Sequence, residues 1–282
     1  MRFAGDTAVL KSASVRPLLR WAGSKRQHVP FLHQWWKAGN YTRYVEPFAG
    51  SAALFFAIEP PRSLLGDINR ELIEAYQTIR QVPQAVYQRL NRLAIGEDAY
   101  YRVRAMRPKL AVARAARFIY LNRFCFNGLY RTNAAGAFNV PYGAPKTPNV
   151  PRLKHFCTCA RLLRHTTLVA ADFRSVLAKV RQGDFVYLDP PYAVSSRRVF
   201  TEYSKDHFST TDIADLAGWL EEIDRRGAAF ILSYADCRDA RVAFNGWLAR
   251  RFAVRHNVSG FSSARRRRYE LCLSNIKAFR RG

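Results

Sequence analysis

Asp189-Pro190-Pro191-Tyr192 puts an acid, two stiff residues and an aromatic ring into one short stretch. It directly follows Phe185-Val186-Tyr187-Leu188, an apolar, β-prone run that reads as a buried strand entered at Gly183-Asp184. Neither proline can donate a ladder hydrogen bond, so the strand stops and the acid sits on a rigid loop at its carboxyl end. In open α/β sheets ligands bind at that edge. The chemistry such a loop suits is that of an exocyclic amino group on a nucleic-acid base. The lone pair of that nitrogen is delocalised into the ring, which makes it a poor nucleophile. A carboxylate and a nearby backbone carbonyl, each accepting one N–H, favour a pyramidal nitrogen and free the lone pair. The tyrosine face can stack on the same base once it has left the duplex. Fixed acceptors need little reorganisation during reaction. The alternative is a plain structural loop, and the tetrapeptide by itself leaves both readings open.

A second constellation lies nearer the N-terminus. The strand Tyr44-Val45 runs into Glu46-Pro47-Phe48-Ala49-Gly50-Ser51-Ala52, and the strand Ser63-Leu64-Leu65 ends at Gly66-Asp67-Ile68-Asn69. A strand, a glycine turn, a helix and a strand ending in an acid form a cofactor-binding unit. Glycine lets the backbone approach a ligand closely. Asp67 follows Gly50 at close to the roughly 20-residue spacing of an acid that holds ribose hydroxyls. The full Gly-x-Gly-x-x-Gly fingerprint is missing, which disfavours a dinucleotide. Thr167-Leu168-Val169 ends at Ala171-Asp172-Phe173, a further acid at a strand end. His155, Cys157, Cys159 and His165 form the one grouping with a hint of metal chemistry. Its Cys-x-Cys spacing is unusual for zinc and no second Cys pair follows, so no metal is expected.

These residues need a frame. Periodicity predicts a helix through Trp35 and Trp36 and a small-residue helix ending near Ile58. From Asn69 to about Phe126 the pattern is helical, with Leu72, Ile73, Tyr76, Ile79, Val86 and Leu90 on one apolar face, a break at Pro83 and a further helix from Ala111 to Phe126. Phe126-Asn127-Gly128-Leu129-Tyr130-Arg131-Thr132-Asn133 and Phe138-Asn139-Val140-Pro141-Tyr142-Gly143 read as a hairpin about Asn-Ala-Ala-Gly. Its Asn, Arg and aromatic side chains suit either a groove-reading loop or an ordinary turn. Thr211 opens a helix with Ile213, Leu216, Leu220 and Ile223 on one face. Ala229 to Tyr234, Phe252 to Val254 and Tyr269 to Leu273 read as the last strands. Strands alternating with helices imply a mainly parallel sheet covered on both faces. The final two, joined only by a loop, must pair antiparallel.

The 282 residues are enough for one large domain or about two average ones. Lys and Arg number 46 against 21 Asp and Glu, a formal net charge of +25 spread from Arg2 to Arg281. Such a field favours a polyanion partner. No apolar run approaches a membrane span, and Gly5, Asp6 and Lys11 interrupt any signal-peptide core. Residues 1–15 read as a mobile arm. The five cysteines, an odd count without a secretion signal, argue for reduced thiols and a cytoplasmic setting.

Several segments together resemble the Dam-type (D12 class) DNA adenine-N6 methyltransferases, from about Arg16 to about Asn275. They are Arg20-Trp21-Ala22-Gly23-Ser24-Lys25, Glu46-Pro47-Phe48-Ala49-Gly50, Asp67-Ile68-Asn69, Phe126 to Asn133, Phe138 to Pro141 and Asp189-Pro190-Pro191-Tyr192, with Phe200-Thr201-x-Tyr203 after the loop. Their order matches the family's, which is more specific than any one motif. The resemblance implies an α/β, Rossmann-like S-adenosyl-L-methionine-dependent sheet over 14–74 and 166–282, with an inserted helical target-recognition domain over 75–165. It implies that Trp21, Lys25, Asp67 and Asp189 lie at the S-adenosyl-L-methionine site, that Glu46, Phe48 and Gly50 form its floor, and that Asp172 and Phe173 meet the adenine ring of the cofactor. Asp189, the Pro190 carbonyl and Tyr192 would hold a flipped target adenine for direct transfer to N6, without a covalent enzyme intermediate or a metal. Phe126, Asn127, Leu129, Arg131 and Asn133 would enter double-stranded DNA. Arg265, Arg266, Arg267 and Arg268 read as phosphate contacts or as a solvated charged turn. A monomer is expected, with room for a cognate restriction or defence partner. Where the family often has a second glycine, this chain reads Ser51-Ala52. Rival readings are an amino-methyltransferase acting on cytosine N4 or RNA adenine, and a DNA-binding protein with an unused site.

Overall fold

All five residues from Asp184 to Leu188 are buried. Successive side chains of a strand point to opposite faces, so a sheet built around this one needs a covering layer on each side. The computed structural model describes residues 15–23, 25–144, 149–192, 208–254 and 268–281. It contains a seven-stranded sheet of β1 (Arg43–Glu46), β2 (Ser63–Asp67), β3 (Thr166–Ala170), β4 (Asp184–Leu188), β5 (Ala229–Ala235), β6 (Leu248–Val254) and β7 (Arg268–Ser274). Their spatial order is β3-β2-β1-β4-β5-β7-β6. The first five are parallel, and β7 runs antiparallel to both β5 and β6.

The two faces divide by residue parity. Phe185 and Tyr187 join Tyr44, Leu65 and Ile231 in a core shared with α1 (Val29–Ala38), α2 (Ala53–Ile58) and α3 (Arg70–Gln81). Val186 and Leu188 join Val45, Leu64, Phe230 and Leu232 in a second core under α8 (Phe173–Leu177), α9 (Thr210–Arg225) and α10 (Arg238–Ala243). Ser209 and Asp212 close α9 with a capping box, and Ile213, Leu216, Leu220 and Ile223 are its buried stripe.

The stretch after β2 is helical as the periodicity predicts. Asn69 caps α3 by accepting from the Leu72 N–H, and Pro83 separates α3 from α4 (Pro83–Asn91). Then come α5 (Glu97–Ala105), α6 (Ala111–Phe124) and α7 (Leu153–Leu162). The expected helix to Phe126 stops two residues early. Cys125 turns to extended geometry to bridge Tyr142, and Asn127 takes a φ of 53°. The hairpin exists as a path but not as strands. Only the bridges Cys125–Tyr142 and Thr132–Phe138 form, because the kink at Asn127-Gly128 and the missing N–H of Pro141 interrupt the ladder. Helices α7, α8 and α10 have no individual counterpart in the sequence reading, while α5 falls within the stretch read as helical. α7 contains the His155/Cys157/Cys159 grouping.

Among the described residues, no helix is long and apolar enough to cross a membrane.

Candidate active site

The chain runs from β1 outward to β2 and β3, then crosses back to β4 and β5 on the other side of β1. The carboxyl ends of β1 and β4 therefore flank the point where strand order reverses, where a crevice opens. Glu46 ends β1, Asp67 ends β2 and Asp189 follows β4, all on that edge.

Asp189 is anchored first by charge. Lys25 Nζ lies 2.9 Å from its Oδ1, and also donates to the Tyr192 hydroxyl at 3.0 Å. Burial pushes the Asp189 carboxyl up; Lys25 draws it back and the charge of Glu270 adds to the rise. Burial works against the Lys25 ammonium, but Asp189, Tyr192 and Glu270 outweigh it and hold Lys25 above its ordinary value. Glu270 Oε1 accepts the Tyr192 hydroxyl at 2.5 Å and sits 3.5 Å from Lys25 Nζ. Sequence reasoning missed Glu270 and also His28, whose Nδ1 is 3.6 Å from Glu270 Oε2. The missed signal was an acid near the start of a strand that, being antiparallel, begins at the edge where the parallel strands end.

The glycine turn is built against Asp67. Its Oδ2 accepts the Gly50 N–H and its Oδ1 the Asn69 N–H, both at 2.9 Å. Burial outweighs these two donors and pushes the Asp67 carboxyl up to about 6. Gly50 has φ +46°, and a Cβ there would lie 2.8 Å from Cδ1 of Trp21, so both backbone and space call for glycine. Tyr76 donates to the Gly50 carbonyl at 2.9 Å from below. Ala52 also adopts a left-handed φ of 51°, the conformation that a glycine would take without strain. Glu46 is buried and accepts the Tyr44 hydroxyl at 2.9 Å; burial drives its carboxyl well above the ordinary range.

Phe48 stacks on Phe173 with centroids 5.3 Å apart, and Phe208, absent from the sequence reading, completes the aromatic group. Asp172 is engaged differently from the other acids. It caps α8 through the Arg174 N–H and pairs with the Arg174 guanidinium at 3.2 Å.

The recognition segment is tied to this site. The Asn122 amide exchanges two hydrogen bonds with the Arg20 backbone, and Arg123 donates to the Leu18 carbonyl. Trp21 stacks on Tyr130 at 6.1 Å, and Tyr130 donates to Glu71. Phe126 and Asn127 are exposed, whereas Leu129 packs partly into the core. Arg131 Nε donates to Asn139 Oδ1 at 2.8 Å. The Asn133 side chain closes the turn by accepting from the Ala135 and Ala137 N–H groups.

Ser24, Phe200-Thr201-x-Tyr203, Arg265 to Arg267 and the N-terminal arm to residue 14 lie outside the described residues, and Arg268 enters only as the first residue of β7. Among the described residues no group of three His, Cys, Asp or Glu side chains could hold a metal. His155 and Cys159 meet at 3.8 Å one turn apart on α7.

Residues 21–259 match the family described as D12 class N6 adenine-specific DNA methyltransferase. The chain is 30% identical over 273 residues to the Type II methyltransferase M1.LlaDCHI of Lactococcus lactis subsp. cremoris, covering 93% of this chain and 96% of that one. It is 33% identical to a DNA adenine methylase of Vibrio cholerae, over 82% of this chain and 85% of the relative. It is 37% identical to the Retron Ec67 DNA adenine methylase of Escherichia coli, over 78% and 77%.

Proposed function

The chain belongs to the D12 class N6 adenine-specific DNA methyltransferases, and from that premise we propose how its residues divide the work of site-specific adenine methylation. The observation that carries the reading is Asp189, on a proline-stiffened loop at the switch point, one strand away from the Gly50–Asp67 turn. Asp189 and the Pro190 carbonyl accept the two N6–H bonds of a flipped adenine, and the Tyr192 ring stacks on it. The gain comes from positioning and preorganised acceptors.

The family uses S-adenosyl-L-methionine, and the residues present fit it. Asp67 spends one lone pair of each oxygen on a backbone N–H, which leaves acceptor capacity for ribose hydroxyls. The missing Cβ of Gly50 lets Trp21 close down on the turn, and the stacked pair Phe48 and Phe173 offers an apolar face for an adenine ring. Trp21 and Lys25 would close the pocket over the Glu46 floor, with Asp172 at its rim. When bound, the cofactor supplies a methyl group on a cationic sulfur. Asp189 and the Pro190 carbonyl would hold the N6 lone pair towards that methyl group, and the spare N6 proton would leave to solvent after transfer.

The same reading gives residues 14–74 and 166–282 to catalysis and 75–165 to target recognition, α3 carrying the chain from one to the other. Phe126, Asn127, Leu129, Arg131 and Asn133 enter the DNA, and the run from Arg265 holds phosphates. Since one chain supplies acceptor, cofactor turn and reading loop, it acts as a monomer. A restriction or defence partner accords with relatives named Type II methyltransferase and Retron Ec67 DNA adenine methylase.

Mapping modified bases in a host that expresses the chain tests the proposal. N6-methyladenine is expected within one short sequence context and absent with Asp189→Ala. Modified cytosine, or methylation confined to RNA, would overturn it.

A further inference from the structure

Glu270 is a buried acid at the centre of the site with no role in the reading above. It is 4% exposed and lies on β7 opposite Ala235, the last residue of β5. Its Oε1 takes the Tyr192 hydroxyl and faces Lys25 Nζ. Its Oε2 is buried and has no hydrogen-bond partner among the described residues. Besides Lys25, the nearest described group that could cancel its charge is His28, at 3.6 Å. Burial holds the His28 imidazole below its ordinary value, more than Glu270 raises it, so His28 is neutral around pH 7. Among the described residues Lys25 is then the single cation shared by two carboxylates, Asp189 and Glu270. The cluster retains one negative charge in a place shielded from water.

We propose that Glu270 supplies this uncompensated negative charge, so that the site favours a cationic sulfonium cofactor over the neutral thioether left after transfer. The proposal rests on the assignment of Asp189, Lys25 and Tyr192 to the methyl-transfer site. Its physical basis is that positive charge enters on sulfur, passes to N6 as the C–N bond forms, and leaves as a proton to solvent. A fixed negative charge nearby stabilises each of these stages and loses its hold on the cofactor once sulfur is neutral. Glu270 also positions the reacting groups, because its one oxygen fixes both the Tyr192 hydroxyl and the Lys25 ammonium. The last, antiparallel strand thereby takes part in the site.

The test is the ratio of affinities for S-adenosylmethionine and S-adenosylhomocysteine, measured by calorimetry on the full chain. Glu270→Gln keeps the shape and an acceptor for Tyr192 but removes the charge. It should weaken the sulfonium compound about tenfold, while the thioether changes by about twofold or less. Tyr192→Phe breaks the same hydrogen bond without changing charge and should leave the ratio near that of the wild type. Glu270→Asp, which keeps the charge on a shorter arm, should retain the preference and serves if the Gln variant fails to fold. Equal weakening of both compounds by Glu270→Gln would reduce Glu270 to a packing role and overturn the proposal, as would loss of the preference in Glu270→Asp. A wild-type protein that binds neither compound would instead overturn the cofactor-site assignment itself.

Discussion

Five parallel strands end on one edge of the sheet, and each is followed or closed by an acid, but the acids are treated in two ways. On the inner strands β2, β1 and β4, Asp67, Glu46 and Asp189 face no arginine among the described residues; their partners are backbone N–H groups, a tyrosine hydroxyl and a lysine. Burial raises all three. On the flanking strands β3 and β5 the acids are clamped. Asp172 takes Arg174, which also binds Asp212 and Asp215. Asp236 is held between Arg241 and Arg251 at 2.6 Å each, and Arg241 draws its carboxyl below the ordinary range. In a chain with 46 Lys and Arg, three acids of one edge that meet no arginine among the described residues are a selective feature. A strand end places an acid at the crevice; only an acid left without an arginine keeps lone pairs for a ligand.

The contrast breaks most visibly at Asp189. Asp189→Ala should slow methyl transfer by roughly 10²–10³ while DNA affinity stays within a few-fold, as for loss of one fixed polar partner in a preorganised site. Single-turnover rates on a methylatable duplex check this, and a near-normal rate would place the reacting amine elsewhere. Next is Asp67→Ala, which should weaken S-adenosylmethionine by about 1.5–3 kcal/mol through loss of charge-assisted hydrogen bonds to the ribose. Calorimetry with cofactor alone reads that loss directly.

The smallest effect belongs to a clamped acid. Asp236→Ala should cost about 1 kcal/mol or less in stability, since both arginines are more than half exposed and the pairs are screened. Its carboxyl is depressed in the folded state, so the contribution is present above the ordinary carboxylate range and lost as pH falls through the folded value. Melting curves of wild type and variant should converge in acid, with transfer rates alike at neutral pH. A large loss of transfer would erase the distinction between clamped and open acids.

Much of this edge was legible in the sequence, because strands and glycine turns are local. Every strand of the sheet was readable as an apolar β-prone run, and Asp67, Asp172 and Asp189 were readable as strand-end acids. What divides those acids was less legible: Arg174 lies only two residues past Asp172, but its bridge to Asp212 and Asp215, like the reach of Arg251 to Asp236, comes from tertiary packing. Glu270 was hidden for the same reason: its place depends on β7 inserting between β5 and β6. Asn133 reads in sequence as one of the side chains that would enter DNA, yet its oxygen is occupied by two N–H groups of its own turn. The helix α7 was obscured by its cysteines and histidine, which suggest chemistry while serving an amphipathic face with Phe156 and Cys159 buried.

The most direct test of the difference between open and clamped acids is the pH dependence of S-adenosylmethionine affinity. In the proposed cofactor site ionised Asp67 would accept the ribose hydroxyls, and burial pushes its carboxyl up to about 6 in the folded protein. As pH is lowered from 8 to 5, the wild-type affinity should hold until about 6 and then fall by up to about tenfold per unit, while Asp67→Asn should lack this fall. Wild-type affinity that tracks the Asn variant across the whole range would contradict the account.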